Sequence, residues 1–390
     1  MKTAVVCPNL YRRGGIERVA IEAIRGLEKC GHQLTVAASY VEEGVVSDHV
    51  TVVDVPRPRF GSSGNVALFG RACKQKLQAS GTPQAVLGFG ATSPDDAVVW
   101  VGSVHARWLA TAKHAKFRGQ FKRLLNPFHR VAIYREKQLF GSRRYRRLLA
   151  LTTDLADDLI HFYKVPASDI DIVPNGVCQK EFKPAITSDR LEMRARFGIQ
   201  TDDKAICFVA NESDRKGLPQ LIEVLAKIND PKLKLLVAGR VGPAVDRLSN
   251  EFKVKDRVTW VGQLEDIAPI FQASDLFVLP TAYEAWGLVI VEALSCGTPV
   301  ITTRLAGASE AVRHEDNGFL LNRADDLIEL KTHIERSFEK NGWDHQAVAA
   351  SVQSYTWDGI IPRVAEILEA TYTTRPWAAT DRSLSGSATA

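Results

Sequence analysis

The sequence predicts an α/β protein built from two doubly wound parallel sheets, each covered by helices, facing one another across a central cleft. Three observations predict it. The chain has 390 residues, too many for one core of ordinary size. Short β-rich runs alternate with amphipathic helical stretches, the order that builds parallel sheets buried on both faces. The alternation pauses at a polar, turn-like stretch around Phe182–Asp189 and then starts afresh. The expected boundaries are 1–184 for a first domain and 185–356 for a second. A helix over 357–374 follows the completed second domain, and a Ser/Ala/Thr-rich tail over 375–390 is expected to be disordered.

Taken in order, Thr3–Cys7 reads as a buried strand, followed by the loop Pro8–Gly15. Ile16, Val19, Ala20, Ala23, Ile24 and Leu27 then recur at helical spacing, with Gly31 as the residue that ends the helix. Strands follow at Gln33–Ser39, Val50–Val55, Ala85–Gly88, Val98–Val104 and Leu148–Thr152, and Asp171–Val177 closes the half. The second set runs strand Ala205–Ala210, helix Leu218–Ile228, strand Lys234–Ala238, helix Pro243–Phe252 and strand Val258–Val261. Helix Ile267–Ala273, strand Leu276–Pro280, helix Leu288–Cys296 and strands Pro299–Thr302 and Gly318–Leu321 complete it. Ligands of such sheets lie beyond the carboxyl ends of the strands.

Composition excludes several classes. The chain is 45% hydrophobic and 24% charged, as in folded soluble proteins. Its six cysteines form no C-x-x-C pair and stand near no His cluster, which suits buried thiols in a reducing compartment rather than a disulfide frame or zinc site. The start, MKTAVVCPN, is too short for a signal peptide, and no window holds the roughly 18 apolar residues of a membrane span. A cytoplasmic location is the expectation. Charge is uneven: Val104–Arg147 holds thirteen Lys and Arg against one acid, Glu136, a net +12, while the rest of the chain is −7. Basic residues there interleave with Trp, Phe and Leu, as in Arg107-Trp108, Phe117-Arg118, Phe121–Leu125 and Arg143–Arg147. This points to an anionic membrane surface or an anionic lipid-linked acceptor, with a solvated helix face as the plain alternative and nucleic acid disfavoured.

Four motifs carry chemistry. In YRRGGIER, Tyr11–Arg18, Gly14 and Gly15 let backbone amides approach a phosphate at a helix start, or make a plain tight turn. The loop is not G-x-G-x-x-G and lacks an acid at ribose-hook spacing, which disfavours a dinucleotide-binding dehydrogenase. In SDRKG, Ser213–Gly217, Arg215 and Lys216 can clamp a diphosphate, although basic pairs in surface loops are common. In PTAYEAWGLVIVEALSCGTPV, Pro280–Val300, a helix opens at Gly287, and the amides of Gly287, Leu288 and Val289 form an anion seat. Glu284 precedes that seat and Glu292 lies about 7 Å further along the axis. The plain reading is that surface helices often carry acids near their N-termini. Two carboxylates touching an anion would repel it, but they make sense as hydroxyl acceptors at the two ends of a diphosphate, the shape of a nucleotide sugar. Finally, Asp169-Ile170-Asp171 matches a metal-diphosphate D-x-D pattern, but Ile170 and Ile172 alternate as core residues, so the motif reads as structural.

The Glu284-x7-Glu292 spacing, the Gly14-Gly15 loop, the Lys216-Gly217 loop and the turn Val173–Val177 together resemble the retaining glycosyltransferases of family 4, over roughly residues 1–372. The resemblance implies the GT-B fold, a donor nucleotide bound mainly to the second domain, and a final helix crossing back to the first. It implies that Gly14 and Gly15 face the donor phosphates, that Lys216 with Arg215 clamps the diphosphate, and that Glu284 holds hydroxyls of the transferred sugar. Gly287–Val289 amides would take the distal phosphate, Glu292 the ribose, and the turn Gly262, Gln263, Leu264 the base. His105, after the run ending at Val104, would stand near the sugar, a structural hydrogen-bonding role being the alternative. Where the family commonly has Arg five residues before the Lys, this chain has Asn211, an arrangement similar to lipopolysaccharide core glucosyltransferases that use UDP-glucose. Ala285-Trp286 stands where relatives commonly carry Gly-Phe.

The expectation is a retaining, metal-independent hexosyltransferase without cofactor, moving a glucose-type sugar from a UDP-sugar to a glycan or lipid-linked acceptor of the cell envelope. The chain would sit at the inner face of the cytoplasmic membrane. A non-hydrolysing sugar-nucleotide epimerase and a non-catalytic nucleotide-sugar-binding protein are the alternatives.

Overall fold

Buried runs of β-branched and aliphatic residues make the strands of two parallel sheets. The computed structural model describes residues 1–12, 14–57, 61–114, 127–339 and 342–377. The chain divides into one unit of Met1–Pro174 with Asp358–Ala390 and another of Asn175–Trp357.

In the first unit the strands are β1 (Lys2–Val6), β2 (Asn9–Leu10), β3 (Gln33–Ala38), β4 (Tyr40–Val41), β5 (Thr51–Asp54), β6 (Ala85–Phe89), β7 (Ala97–Val101), β8 (Tyr145–Ala150) and β9 (Ile170–Ile172). Seven of them form one parallel sheet in the order β5-β3-β1-β6-β7-β8-β9, while β2 and β4 pair separately. Every residue of β6 and β7 is buried, as expected of central parallel strands. The helix Gly15–Lys29 covers the sheet with Val19, Ala20, Ile21, Ala23, Ile24 and Leu27, and Gly31, at φ +83°, ends it in the left-handed region.

The second unit contains β10 (Lys204–Val209), β11 (Leu233–Ala238), β12 (Val258–Gly262), β13 (Leu276–Leu279), β14 (Val300–Thr303) and β15 (Gly318–Leu321), in the order β12-β11-β10-β13-β14-β15. Strand order therefore reverses direction between β1 and β6 in the first sheet and between β10 and β13 in the second. These are the topological switch points, where loops on either side of the crevice leave in opposite directions and make room for a ligand.

Several local expectations need correction. The chain passes between units at Pro174–Asn175, before the polar stretch Phe182–Asp189. That stretch is tied to the second unit: Ser295 and Gln272 donate to the carbonyls of Phe182 and Lys183. Its end also starts a helix, Thr187–Arg196, whose Arg190 and Arg194 pair with Asp275. Strand β7 ends at Val101 rather than Val104, and His105 is instead the first residue of the helix His105–His114. Trp377, within the stretch expected to be disordered, is buried, with its N–H on the Gln84 carbonyl at 2.8 Å and its indole N–H on that of Asp95 at 3.2 Å. Residues 378–390 lie outside the described residues. All six cysteines are free, but Cys30 is exposed.

The helix Trp357–Tyr372 packs on the first unit. Gly26 permits the approach, since a Cβ there would lie 2.6 Å from the Ile361 side chain. The buried Tyr372 hydroxyl accepts the Val98 N–H at 3.0 Å and reaches the Asp96 carbonyl at 2.8 Å.

Candidate active site

The loops leaving β10 and β13, on the two sides of the second sheet's switch point, bring three of the sequence-predicted residues together. Arg215 and Lys216 end a short helix, Ser213–Lys216, after β10, and Glu284 lies in the loop after β13. The Arg215 guanidinium stands 3.3 Å from the Glu284 carboxylate, and the Lys216 ammonium contacts the same oxygen. Arg215 also donates to the Tyr283 carbonyl and to Glu212 at 2.9 Å. Burial, first, and the neighbouring Arg215 charge push the Lys216 ammonium below the ordinary lysine range; Glu212 acts the other way, as does the contacting Glu284 carboxylate.

Backbone contacts make this cluster rigid. Gly217 sits at φ +87°, and a Cβ there would come within 2.3 Å of the Pro280 carbonyl oxygen. Ala282 N–H and the Thr281 hydroxyl both donate to the Arg215 carbonyl, at 2.9 and 3.3 Å. Glu284 is fixed from the other side by its amide on Leu305 and its carbonyl under Gly307 N–H. The two loops are thus one piece of structure.

The helix start expected to seat an anion follows directly. Gly287, at φ +92°, precedes the helix Leu288–Ser295, and a Cβ on it would sit 3.0 Å from the Glu284 Cγ. Glycine there lets the carboxylate lie over the helix start. Leu288 and Val289 are half-buried, whereas the Ile290 N–H already donates to the Gly287 carbonyl. Glu292 is buried within this helix, only 1% exposed. Trp286 is buried as well, its ring 5.9 Å from that of Tyr355, so the Ala285-Trp286 departure belongs to the packing of this loop.

The other donor candidates lie along the same carboxyl-end rim. Asn211 accepts the Arg240 N–H at 3.1 Å, which ties the loop after β10 to the loop after β11. Gly262 ends β12 at φ +83° and accepts the Gly239 N–H at 2.8 Å; Gln263 is exposed and Leu264 half-buried. Asp169 and Asp171, in the first unit, accept from Tyr145 and Arg147, which fits the structural reading of the D-x-D motif. Among the described residues no three His, Cys, Asp or Glu stand where they would hold one metal ion.

In the first unit, Gly14 and Gly15 follow β1 and open the helix Gly15–Lys29 on one side of that sheet's switch point. Gly15 is open to solvent, while the Glu17 side chain lies against Gly14. His105 is half-buried in an aromatic stack that its place in the sequence does not announce. Its Nε2 is 2.8 Å from Nδ1 of His129, and Trp108 stacks on both rings at 5.5 and 5.1 Å. Its backbone N–H donates to Glu136 at 2.8 Å, and Tyr163 donates to the other oxygen of that carboxylate. Burial and His129 lower His105 to about 4, and burial raises Glu136 to about 7. Glu136 is visible in the sequence only as the single acid of a basic segment; its partners come from two other helices, His105–His114 and Thr153–Tyr163.

That basic segment is less free than its charge count suggests. Arg135 and Arg144 pair with Asp95, Arg146 with Asp96, and Arg147 with Asp171. These arginines hold strand ends together, so Arg143–Arg147 is not a continuous anion-binding strip. Phe117-Arg118 and Phe121–Leu125 lie outside the described residues. No described helix is long and apolar enough to cross a membrane.

The profile of Glycosyl transferases group 1 matches residues 189–351, and that of Glycosyltransferase Family 4 matches residues 13–180. The chain is 32% identical to a D-inositol 3-phosphate glycosyltransferase of Mycobacterium marinum over 190 residues, 46% of this chain and 39% of that protein. It is 26% identical to an uncharacterized glycosyltransferase of Methanocaldococcus jannaschii over 178 residues, 44% and 46% of the two chains. The chain thus spans about half or less of the length of these curated relatives. Its fold is similar to that of WaaG, a glycosyltransferase involved in lipopolysaccharide biosynthesis, with a TM-score of 0.77 at 20% identity, covering 94% and 99% of the two chains. It is similar also to sucrose-phosphate synthase from Thermosynechococcus elongatus (TM-score 0.79, 19% identity, 96% and 99% covered). A third similar structure is that of Anabaena HepE in complex with UDP-glucose (TM-score 0.72, 19% identity, 95% and 100% covered). With the two profiles accounting in turn for its two halves, the chain belongs to the family 4 glycosyltransferases and has the GT-B fold.

Proposed function

We propose that this glycosyltransferase moves a hexose, glucose-type, from a UDP-sugar to a glycan or lipid-linked acceptor of the cell envelope, with retention of anomeric configuration and without a metal. The observation that carries the reading is the convergence of Arg215, Lys216 and Glu284 at the switch point of the second sheet. Two cations and a helix start suit a diphosphate, and a carboxylate beside them suits the hydroxyls of the attached sugar. In the reaction the bond between the anomeric carbon and the diphosphate oxygen breaks. The acceptor oxygen bonds to the same face of that carbon, and its proton passes to the leaving diphosphate. Arg215, Lys216 and the amides of Gly287–Val289 stabilise the charge on that leaving group, the main catalytic contribution. Binding would exchange Lys216 from Glu284 to the diphosphate and release the carboxylate to the sugar. Glu292 would take the ribose, the turn Gly262–Leu264 with Asn211 the base side, and Gly14, Gly15 and His105 would serve the donor from the first unit. Support for a UDP-sugar comes from the similar fold of HepE, which has been captured with UDP and with UDP-glucose.

The test is a panel of UDP-, GDP- and ADP-sugars in a thermal-shift assay, followed by assay of nucleoside diphosphate release with candidate acceptors. The preferred donor should raise the midpoint, and Glu284→Gln should abolish turnover. A donor epimerised in the absence of acceptor would overturn the transferase chemistry.

We propose further that the chain meets an anionic membrane surface through the segment 104–147. Arg130 and Tyr134 lie one turn apart on the helix Pro127–Glu136 and are exposed, Tyr134 by 63%, and exposed Lys137 follows. An interfacial aromatic between two cations suits lipid headgroups.

A further inference from the structure

We infer that His129 is a positioning residue for His105, fixing its tautomer and holding its ring through the Nδ1–Nε2 hydrogen bond. This rests on the proposed placement of His105 beside the transferred sugar. Two histidines joined at 2.8 Å, Nε2 of one to Nδ1 of the other, share one bridging proton. When both rings are neutral, the bridging nitrogen of one is a donor and that of the other an acceptor. The direction of the bridge therefore decides whether Nδ1 of His105, the nitrogen left over, carries a proton: it is bare when His105 donates and protonated when His129 donates. A sugar hydroxyl meeting that nitrogen would find one role only, donor or acceptor.

The surroundings leave the pair little freedom. The rings are nearly parallel, 19° apart with centroids at 5.0 Å, and the Trp108 indole lies within 20° of both planes. Phe128 meets the two rings edge-on at 5.7 and 5.8 Å. The backbone of His105 is pinned by Glu136, itself hydrogen-bonded by Tyr163. His129 and Glu136 belong to the helix Pro127–Glu136 and Tyr163 to the helix Thr153–Tyr163, so two elements converge on the first turn of a third. Among the described residues, the charged groups at this turn are Glu136, from the helix bearing His129, and Asp158, from the helix bearing Tyr163, which pairs with Arg107 at 3.8 Å. Burial and His129 both resist protonation of His105, which keeps it neutral down to low pH.

Three variants of His129 separate hydrogen bonding from packing. His129→Asn places an amide near the position of Nδ1, His129→Gln places it near that of Nε2, and His129→Phe keeps a ring without the bond. The expected result, with the preferred donor and acceptor, is a kcat about tenfold lower in His129→Phe and His129→Gln, the loss that one hydrogen bond at a reacting geometry makes. Donor KM should be nearly unchanged, and His129→Asn should recover most of the rate. The acid limb of the pH–rate profile should move upward in His129→Phe, because His105 then protonates more readily. Independently of activity, nitrogen-resolved NMR of the imidazoles should show one His105 tautomer in the native chain and a mixture in His129→Phe. Thermal melts of each variant confirm folding. If His105→Ala lowers kcat while His129→Phe does not, the positioning role is overturned alone. If His105→Ala leaves kcat intact, the placement of His105 at the sugar falls, and this inference with it.

Discussion

Glu284, Lys216 and Gly217 meet because the loops after β10 and β13 are tied together through their backbones. The carboxylate, the cation and the glycine were all visible in their motifs. What a linear sequence does not express is that Pro280, four residues before Glu284, lies over Gly217 closely enough to forbid a Cβ. Gly217→Ala should therefore cost about 1–3 kcal/mol of stability through strain at positive φ and the clash with Pro280. Denaturant titration reads this, and an unchanged midpoint would show that the loop relaxes freely. Lys216→Ala should lower kcat about 10²–10³-fold, the usual cost of removing one group that stabilises a leaving charge, with the fold retained by circular dichroism. Glu136 makes a prediction of a different kind. Burial raises its carboxyl from 4.5 to about 7, although hydrogen bonds from Tyr163 and from the His105 and Ala106 amides favour ionisation. The folded chain keeps a proton that the unfolded chain releases first. Stability should thus fall as pH rises from about 4.5 to about 7, by on the order of 3 kcal/mol, and level off above. Glu136→Gln should flatten that slope, as chemical unfolding at pH 5 and pH 8 would reveal. Residues such as Glu136 and His129 escaped sequence reasoning because their meaning depends on partners from other elements, and a lone acid or histidine has no spacing to betray it.

The elements of the second sheet are legible nearly strand by strand, because most of its strands are aliphatic runs buried on both faces, the edge strand β12 being the exception. The strand at Leu276–Leu279 and the helix at Leu288–Ser295 differ from expectation by one residue each. Legibility failed where the pattern was carried by paired charges. Tyr145–Ala150 begins in Tyr-Arg-Arg, which reads as a basic surface strip, yet Arg146 and Arg147 are strand residues paired with Asp96 and Asp171. Likewise Thr187–Arg196 looks mostly polar, and its arginine clamp on Asp275 ties it as a helix to the second unit. The helix Trp357–Tyr372 offers a test at this scale. Tyr372→Phe removes the partner of the buried Val98 N–H and should cost about 1–3 kcal/mol, read as a lowered unfolding midpoint.

For the molecule as a whole, the sum of charges proved a poor guide to which charges are available. Five arginines of the +12 segment, Arg107, Arg135, Arg144, Arg146 and Arg147, are engaged by aspartates outside it, which leaves exposed cations such as Arg130 and Lys137 for an anionic surface. Vesicles containing phosphatidylserine should retain the protein at low salt and release it at high salt. Arg130→Glu with Lys137→Glu should weaken retention by more than tenfold, since each cation near such a surface contributes about 1 kcal/mol and reversal also adds repulsion. The division into units has another consequence, for the order of events during synthesis. The first unit is assembled from Met1–Pro174 and the segment from Asp358 onward, whereas the second is one uninterrupted stretch, Asn175–Trp357. On a ribosome the second unit can emerge and close its sheet while the first still waits for the helix that carries Tyr372. Until that helix arrives, Gly26 and the Val98 amide remain uncovered, and the nascent first half depends on chaperones or on its own partial order to avoid aggregation.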